Sequence, residues 1–406
     1  MKYPLKYGDQ FIAVNINGKA QSITVNPVPD AVPDKNSFTS ELSSLINPGV
    51  KSAAVVVSDK TRLCDYDLYL PWLTNILERK GLDSESITFY IAYGTHPRQS
   101  DSESLGIYGS TYRAYRFIHH DCDDHDAMID VGVTEKGTRI TIRKDILENE
   151  LIILFGVVSH HYFAGYGGGR KMIFPGLAAR DSIYHNHKLF IDFNNLKLNG
   201  NCRSGNLTGN PVAEDLLEID NHMPEKILIT GIPGEDGKIR SLLTGKTYDD
   251  FLLACKAYDR QFKNNSGKMF DNVIASAGGY PKDINFIQTH KSLHNAASFV
   301  RDGGNLILLS ECRDGIGNED FLRILEGKQK REIFEDLELR YSGNGGTALS
   351  LLSKTERINI SMVTELSLRE CEILGVNKIE IDNLQYVTGK IEGTSATIGN
   401  ASIVYR

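Results

Sequence analysis

His160-His161-Tyr162-Phe163-Ala164-Gly165-Tyr166-Gly167-Gly168-Gly169-Arg170-Lys171-Met172-Ile173-Phe174-Pro175-Gly176 follows directly on an apolar run at 151–158. That run is too short to span a membrane and has the length of a fully buried strand. The histidines therefore stand at a strand exit, and in an open α/β sheet ligands bind where loops leave the carboxyl ends of the strands. Glycines 167–169 let the backbone turn with positive φ and approach a ligand closely, while Arg170 and Lys171 bring positive charge to it.

The same pattern recurs toward the amino terminus. Residues 53–57 lead into Ser58-Asp59-Lys60-Thr61-Arg62, residues 87–92 into Tyr93-Gly94-Thr95-His96-Pro97, and residues 115–118 into His119-His120-Asp121. An amphipathic segment at 68–80 separates the first two, which suits helices on the faces of a partly parallel sheet. Residues 139–143 are expected to pair antiparallel with 151–155 at one edge. The first fifty residues read as a hairpin (10–14 with 23–25), a proline-bearing loop at 27–33 and a helix at 37–45.

Beyond a polar link at 264–267, a second unit reads as strand (272–276), helix (284–300) and strand (305–309), without the Gly-x-Gly-x-x-Gly of a dinucleotide site. The expected architecture is α/β: two α/β domains with mixed, partly parallel sheets and an active-site cleft between them. Residues 1–265 form an N-terminal domain with the cofactor and catalytic residues. Residues 266–406 form a C-terminal Rossmann-like domain closing over the substrate, whose final strand (396–404) is free to return to the N-terminal domain.

Composition narrows the function classes. With 45 Lys+Arg against 52 Asp+Glu the net charge is -7, which gives a nucleic-acid partner no electrostatic support. The six cysteines form no Cys-x-x-Cys pair, so neither a zinc ribbon nor a disulfide framework is expected, and reduced thiols in the cytoplasm are. No apolar run approaches the roughly 18 residues of a membrane helix. The oligomeric state is left open.

His96 and His161, at two strand exits, can serve as general acid and general base on opposite faces of one carbon. The same imidazoles with His187 can instead ligate zinc in a hydrolase. Lys171, entering an apolar wall after three glycines, suits either a neutral nucleophile or a phosphate cradle. Asp59, Lys60, Thr61 and Arg62 suit an anion-binding turn, with an internal Asp59–Arg62 salt bridge as the bland reading. Gln288 and Lys291 share one helix face, either solvated or turned to a substrate carboxylate. His120-Asp121 is a candidate supporting pair, since a carboxylate beside an imidazole can fix its tautomer.

Taken together, Asp59-x-x-Arg62, Gly94-Thr95-His96, His161-x-x-Ala164-Gly165-Tyr166-x-Gly168-Gly169-Arg170-Lys171, Pro175-Gly176, Asn186-His187, Gly209-Asn210-Pro211 and Gln288-x-x-Lys291 resemble, in order, the nickel-pincer-nucleotide-dependent lactate racemase family of 2-hydroxyacid racemases and epimerases. The resemblance implies a nickel-pincer nucleotide, a pyridinium-3,5-bisthiocarboxylic acid mononucleotide, tethered to Lys171, with nickel held by the cofactor and His187. It implies reversible hydride transfer from the substrate carbon, with His96 and His161 alternating as acid and base. Asp59, Lys60, Thr61 and Arg62 would hold the nucleotide, and Arg62, Gln288 and Lys291 the substrate. Cofactor-maturation enzymes become partners, because nothing in the chain resembles machinery for building such a group. Ile287 stands where the family's lactate enzymes carry an aromatic residue and the sole tryptophan is Trp72, so a hydroxyacid other than lactate is within reach. The competing readings are the zinc-dependent hydrolase and a non-catalytic nickel-nucleotide binding protein.

Overall fold

The computed structural model describes residues 2–26, 31–62, 64–318 and 320–406, so the loop expected at 27–33 lies partly outside the described residues. The chain forms two compact units, one of residues 28–190 and 200–260, the other of 1–27, 191–199 and 261–406.

The first unit is built on a six-stranded sheet in the order Ile239–Gly245, Ile227–Pro233, Leu151–Val157, Ala53–Ser58, Ile87–Ala92, Arg116–His119. All neighbours are parallel except the first two. Every residue of Ala53–Ser58 and Leu151–Val157 is buried. That is the signature of central strands covered on both faces, and it explains their unbroken apolar runs. Arg116–His119, with no buried residue, takes the edge. The helix Tyr66–Arg79 covers one face through Tyr66, Tyr69, Leu70, Leu73, Ile76 and Leu77, a 3-4 spacing on one helical stripe. Each fully buried leucine there contributes ~2 kcal/mol of apolar burial.

Arg139–Arg143 does not pair with residues 151–155 as expected. Both flanks of Leu151–Val157 are taken by parallel neighbours, and Arg139–Arg143 forms a separate antiparallel ribbon with Met128–Val133. A strand with an arginine at each end suits an exposed ribbon better than a sheet interior.

The second unit has an all-parallel six-stranded sheet in the order Asn377–Ile379, Asn359–Val363, Val300–Leu309, Phe270–Ser276, Ser395–Ile398, Gln21–Ile23. The hairpin partner of Gln10–Asn15 is Lys2–Tyr7, joined by the two-residue turn Gly8-Asp9 with Gly8 at φ 53, while Gln21–Ile23 becomes an edge strand beside Ser395–Ile398. Residues 2–26 thus belong with 261–406, and the final strand stays in this unit. A cut at residue 265 differs from this division because a three-residue parallel pairing leaves no periodic trace in sequence.

Candidate active site

In the first sheet the strands after Ala53–Ser58 proceed to one side, and Leu151–Val157 is then laid down on the other. The crevice at that reversal lies beyond the carboxyl ends of these two strands, where Asp59 and the His160–Lys171 stretch emerge. Three tyrosines hold the exits. Tyr66 accepts from Ser58 N (2.7 Å) and donates to Phe155 O (2.6 Å), tying both strand ends together, and Tyr108 donates to Ser58 O (2.8 Å). Tyr93 accepts from Gln99 N (3.3 Å), shaping the His96 turn.

The Asp59 carboxylate, 4 % exposed, carries two kinds of partner. Oδ1 accepts from Thr61 N (3.0 Å) and Thr61 Oγ1 (2.6 Å); Oδ2 lies 2.7 Å from His96 Nδ1. Burial pushes this carboxyl up, but its bonds to His96 and Thr61 and the charges of His96 and Arg62 outweigh that and hold it at about 2. An ionised acceptor at Nδ1 fixes His96 with its proton there and leaves the Nε2 lone pair free. The bland Asp59–Arg62 pairing is not what organises the turn: Arg62 donates to Thr61 Oγ1 (2.9 Å), and Lys60 pairs with Glu103 (2.5 Å). Lys60 therefore directs its ammonium to Glu103 and contributes its main chain, held by Gln99 Oε1 at 2.9 Å.

Beyond Leu151–Val157, Ser159–His161 and Gly165–Gly167 form a short hairpin. His161 Nδ1 accepts from Ala164 N (3.2 Å), so the neutral ring carries its proton on Nε2. Gly168, φ 80, and Gly169, φ 51, then turn the chain where a Cβ would meet Val157 O at 2.4 Å and Phe251 Cδ2 at 2.5 Å, so only glycine fits. Lys171 follows in a tight helical turn, Gly169–Met172.

Phe163 joins the parts. Its ring is 4.5 Å from the His161 ring and 4.9 Å from the His187 ring, both edge-on, and the Lys171 Nζ lies 5.8 Å from its centroid. His187 comes from the helix Arg180–Lys188. That helix is anchored by Asn186, which donates to the fully buried Asp215 (2.8 Å), itself satisfied by Thr134 (2.5 Å) and Thr138 (2.7 Å). Asn210 caps the helix Pro211–Asn221 and donates to Phe163 O at 2.8 Å. Asn186 and Asn210 thus hold the site's geometry, one beside His187 and the other behind Phe163.

Electrostatics suit these residues to a covalent and a metal partner. Burial, followed by the positive charges of Arg170 and Arg62, holds the Lys171 amine well below its ordinary range, which favours the neutral, nucleophilic form. Burial and Lys171 lower His187 to about 3, keeping the imidazole in its metal-binding form. A borderline metal with soft ligands accepts such an imidazole, so the donor set fits nickel held partly by sulfur. Among the described residues, the grouping whose donor atoms have metal-like spacing is Asp121, Cys122 and Asp123, with Asp123 bound by Arg180 through two 2.7 Å bonds. His96, His161 and His187 do not make such a cluster, which removes the geometric basis for a three-imidazole zinc.

Other expected residues fall elsewhere. His120 donates Nε2–H to Ala178 O (3.1 Å) and takes no part in the crevice. Gln288 and Lys291 lie in the second unit, on the helix Phe286–Ala297 capped by Asn285, and Lys291 donates to Gln288 Oε1 at 2.7 Å. Sequence reasoning passed over Phe163 although it lay inside the motif, because a phenylalanine after a strand reads as core.

The chain has counterparts among known proteins. A family model described as the lactate racemase N-terminal domain matches residues 28–198, and one described as the lactate racemase C-terminal domain matches residues 266–344. A lactate racemase of Thermoanaerobacterium thermosaccharolyticum is 28% identical over 335 residues, 81% of this chain and 77% of that protein. One from Lactiplantibacillus plantarum is 28% identical over 290 residues, 71% of this chain and 66% of its own length. The solved structure of the lactate racemase apoprotein from Thermoanaerobacterium thermosaccharolyticum shares the fold with a TM-score of 0.84 at 22% identity, covering 100% of this chain and 99% of that one. A Thermotoga maritima protein of known structure follows at TM-score 0.67 and 16% identity, over 92% of this chain and 98% of its own. With both domain models matched in order across most of its length, the chain belongs to the lactate racemase family.

Proposed function

We propose that this protein is a racemase or epimerase of a small 2-hydroxyacid. The observation that supports it most is the contact of one buried ring, Phe163, with His161, His187 and Lys171, together with a His96 already paired with Asp59. On this reading Lys171 tethers a nickel-pincer nucleotide and His187 ligates its nickel, with Thr61, Arg62 and the backbone of 59–62 toward the nucleotide. When bound, the group supplies the hydride acceptor that lets the chiral carbon become planar.

The chain's own residues do the proton work. His96 presents a basic Nε2, and the ionised Asp59 stabilises the imidazolium formed when it takes the hydroxyl proton. His161 presents Nε2–H as the complementary donor. Arg62 offers a cationic group of the kind that a 2-hydroxyacid's carboxylate requires. The departure at Ile287 points to an acid other than lactate, and maturation enzymes would have to load the protein. No helix of the described residues is long and apolar enough to cross a membrane, in keeping with a cytoplasmic enzyme.

The test is co-expression with cofactor-maturation enzymes, intact mass, and chiral chromatography with both enantiomers of a panel of 2-hydroxyacids. An adduct that vanishes in Lys171→Ala, and interconversion lost in His96→Ala and His161→Ala with nickel retained, are expected. A loaded protein that interconverts no member of the panel, or an adduct that persists in Lys171→Ala, would overturn the reading.

A further inference from the structure

The hairpin that delivers His161 is weak by itself: two three-residue strands, with glycine at both ends of the second. Its register nevertheless matters acutely. His160 faces Tyr166 directly across the hairpin, and His161 faces Gly165. Successive side chains on a strand point to opposite faces, so fixing the face of His160 fixes the opposite face of His161, and a one-residue slip would exchange them.

One carboxylate grips that pair. Asp259, on the helix Tyr248–Phe262, lies with Oδ1 3.0 Å from His160 Nε2 and accepts from Tyr166 OH at Oδ2 (2.7 Å). The two donors come one from each strand, so the bonds hold the strands in register as well as to the helix. Tyr258, next to Asp259, packs edge-on to the His160 ring at 4.7 Å. The same helix sends Tyr248 and Phe251 to the Arg170 guanidinium, 5.4 and 5.2 Å from its carbon. It therefore braces the chain both before and after the glycine turn that leads to Lys171.

We propose that Asp259 is a positioning residue for racemisation: by clamping His160 and Tyr166 it sets the face, register and tautomer of His161. The proposal rests on the reading of His161 as an acid–base group, yet its geometric part can be judged without cofactor. With imidazole-15N-labelled apoprotein, the His161 signals, identified by their loss in His161→Gln, should report the Nε2–H tautomer that the Ala164 N–H bond imposes. In Asp259→Ala they should move to a tautomer mixture. In the cofactor-loaded enzyme the same variant should lose kcat by at least about tenfold with KM changed less than about twofold, because misorientation by an ångström is costly. Nickel and the Lys171 adduct should be unchanged, and Asp259→Asn, which keeps one oxygen acceptor, should recover part of kcat. An Asp259→Ala protein with unaltered His161 signals and kcat within about twofold of wild type overturns the proposal. Should that variant fail to fold, Tyr166→Phe removes one bond only and should shift the His161 signals part of the way; unaltered signals there overturn it equally. Racemisation that survives in His161→Gln would instead remove the acid–base reading, while the tautomer measurement still decides the clamp.

Discussion

Asp59→Asn isolates the electrostatic half of the site. The carboxyl is held at about 2 against an ordinary 3.8, a difference worth ~2.4 kcal/mol between its charged and neutral forms, or ~60-fold in an equilibrium. Asparagine keeps Thr61's two bonds through its carbonyl oxygen but turns an N–H toward His96 Nδ1. The imidazole must then move its proton to Nε2 and loses the lone pair that would accept the substrate's proton. Both effects act in one direction, so kcat should fall, by up to ~60-fold from the electrostatic part, since asparagine keeps Thr61's share of the shift, and further where the wrong tautomer predominates. Nickel and adduct content should stay at wild-type levels, since neither Lys171 nor His187 contacts Asp59. Stability provides a second measure. A carboxyl with a depressed folded-state pKa stabilises fully above its unfolded value, and that contribution is lost as pH falls from 3.8 through about 2. Between pH 5 and pH 2.5 the wild type should therefore lose more of its denaturant midpoint than Asp59→Asn does. Turnover within threefold of wild type, together with an identical acid limb of stability, would refute the assignment of Asp59 as the partner that readies His96.

Two further outcomes follow from single side chains. Phe163→Leu should fold but lower both nickel content and turnover, because the spacer between His161, His187 and Lys171 shrinks; full nickel by elemental analysis with normal turnover would show that the ring is mere packing. Phe163→Ala should in addition cost ~3–5 kcal/mol of stability. In the second unit, burial and then Arg357 lower the buried Lys354 to about 7, while its Nζ bonds Ser350 O (2.9 Å) and Oγ (2.8 Å). A base with a depressed folded pKa stabilises fully only above its unfolded value near 10.5, so wild-type stability should rise by up to ~1.4 kcal/mol per pH unit between pH 7 and 9. Lys354→Met should be more stable at pH 7 by ~1–3 kcal/mol and lose that slope; a less stable variant with the slope intact would contradict this.

Sequence carried the sheet's centre well, for a physical reason. Residues 53–57 and 151–158 are apolar throughout because both faces of a central parallel strand are covered, and the polar residues that follow each run could only lie at the strand ends. The motif around Lys171 was equally legible, since three consecutive glycines before a basic pair have few structural uses. Contacts made across long separations were not. Asp259 meets His160 and Tyr166 from more than ninety residues away, and nothing in a helix segment marks which of its acids faces a hairpin. Nor did sequence mark the partner of Lys60: Glu103, inside the capping box of the helix Asp101–Tyr108, pairs with its ammonium. The amino-terminal residues misled because Gln21–Ile23 is too short to announce its sheet.

That short strand has a consequence for biosynthesis. Gln21–Ile23 hydrogen-bonds to Ser395–Ile398, which the ribosome delivers about 370 residues later. At roughly 5–20 residues per second the wait is on the order of 20–75 s. The unit bearing His96, His161, Lys171 and His187 is complete by residue 260, so it can fold on the nascent chain while the amino terminus is still without its neighbour.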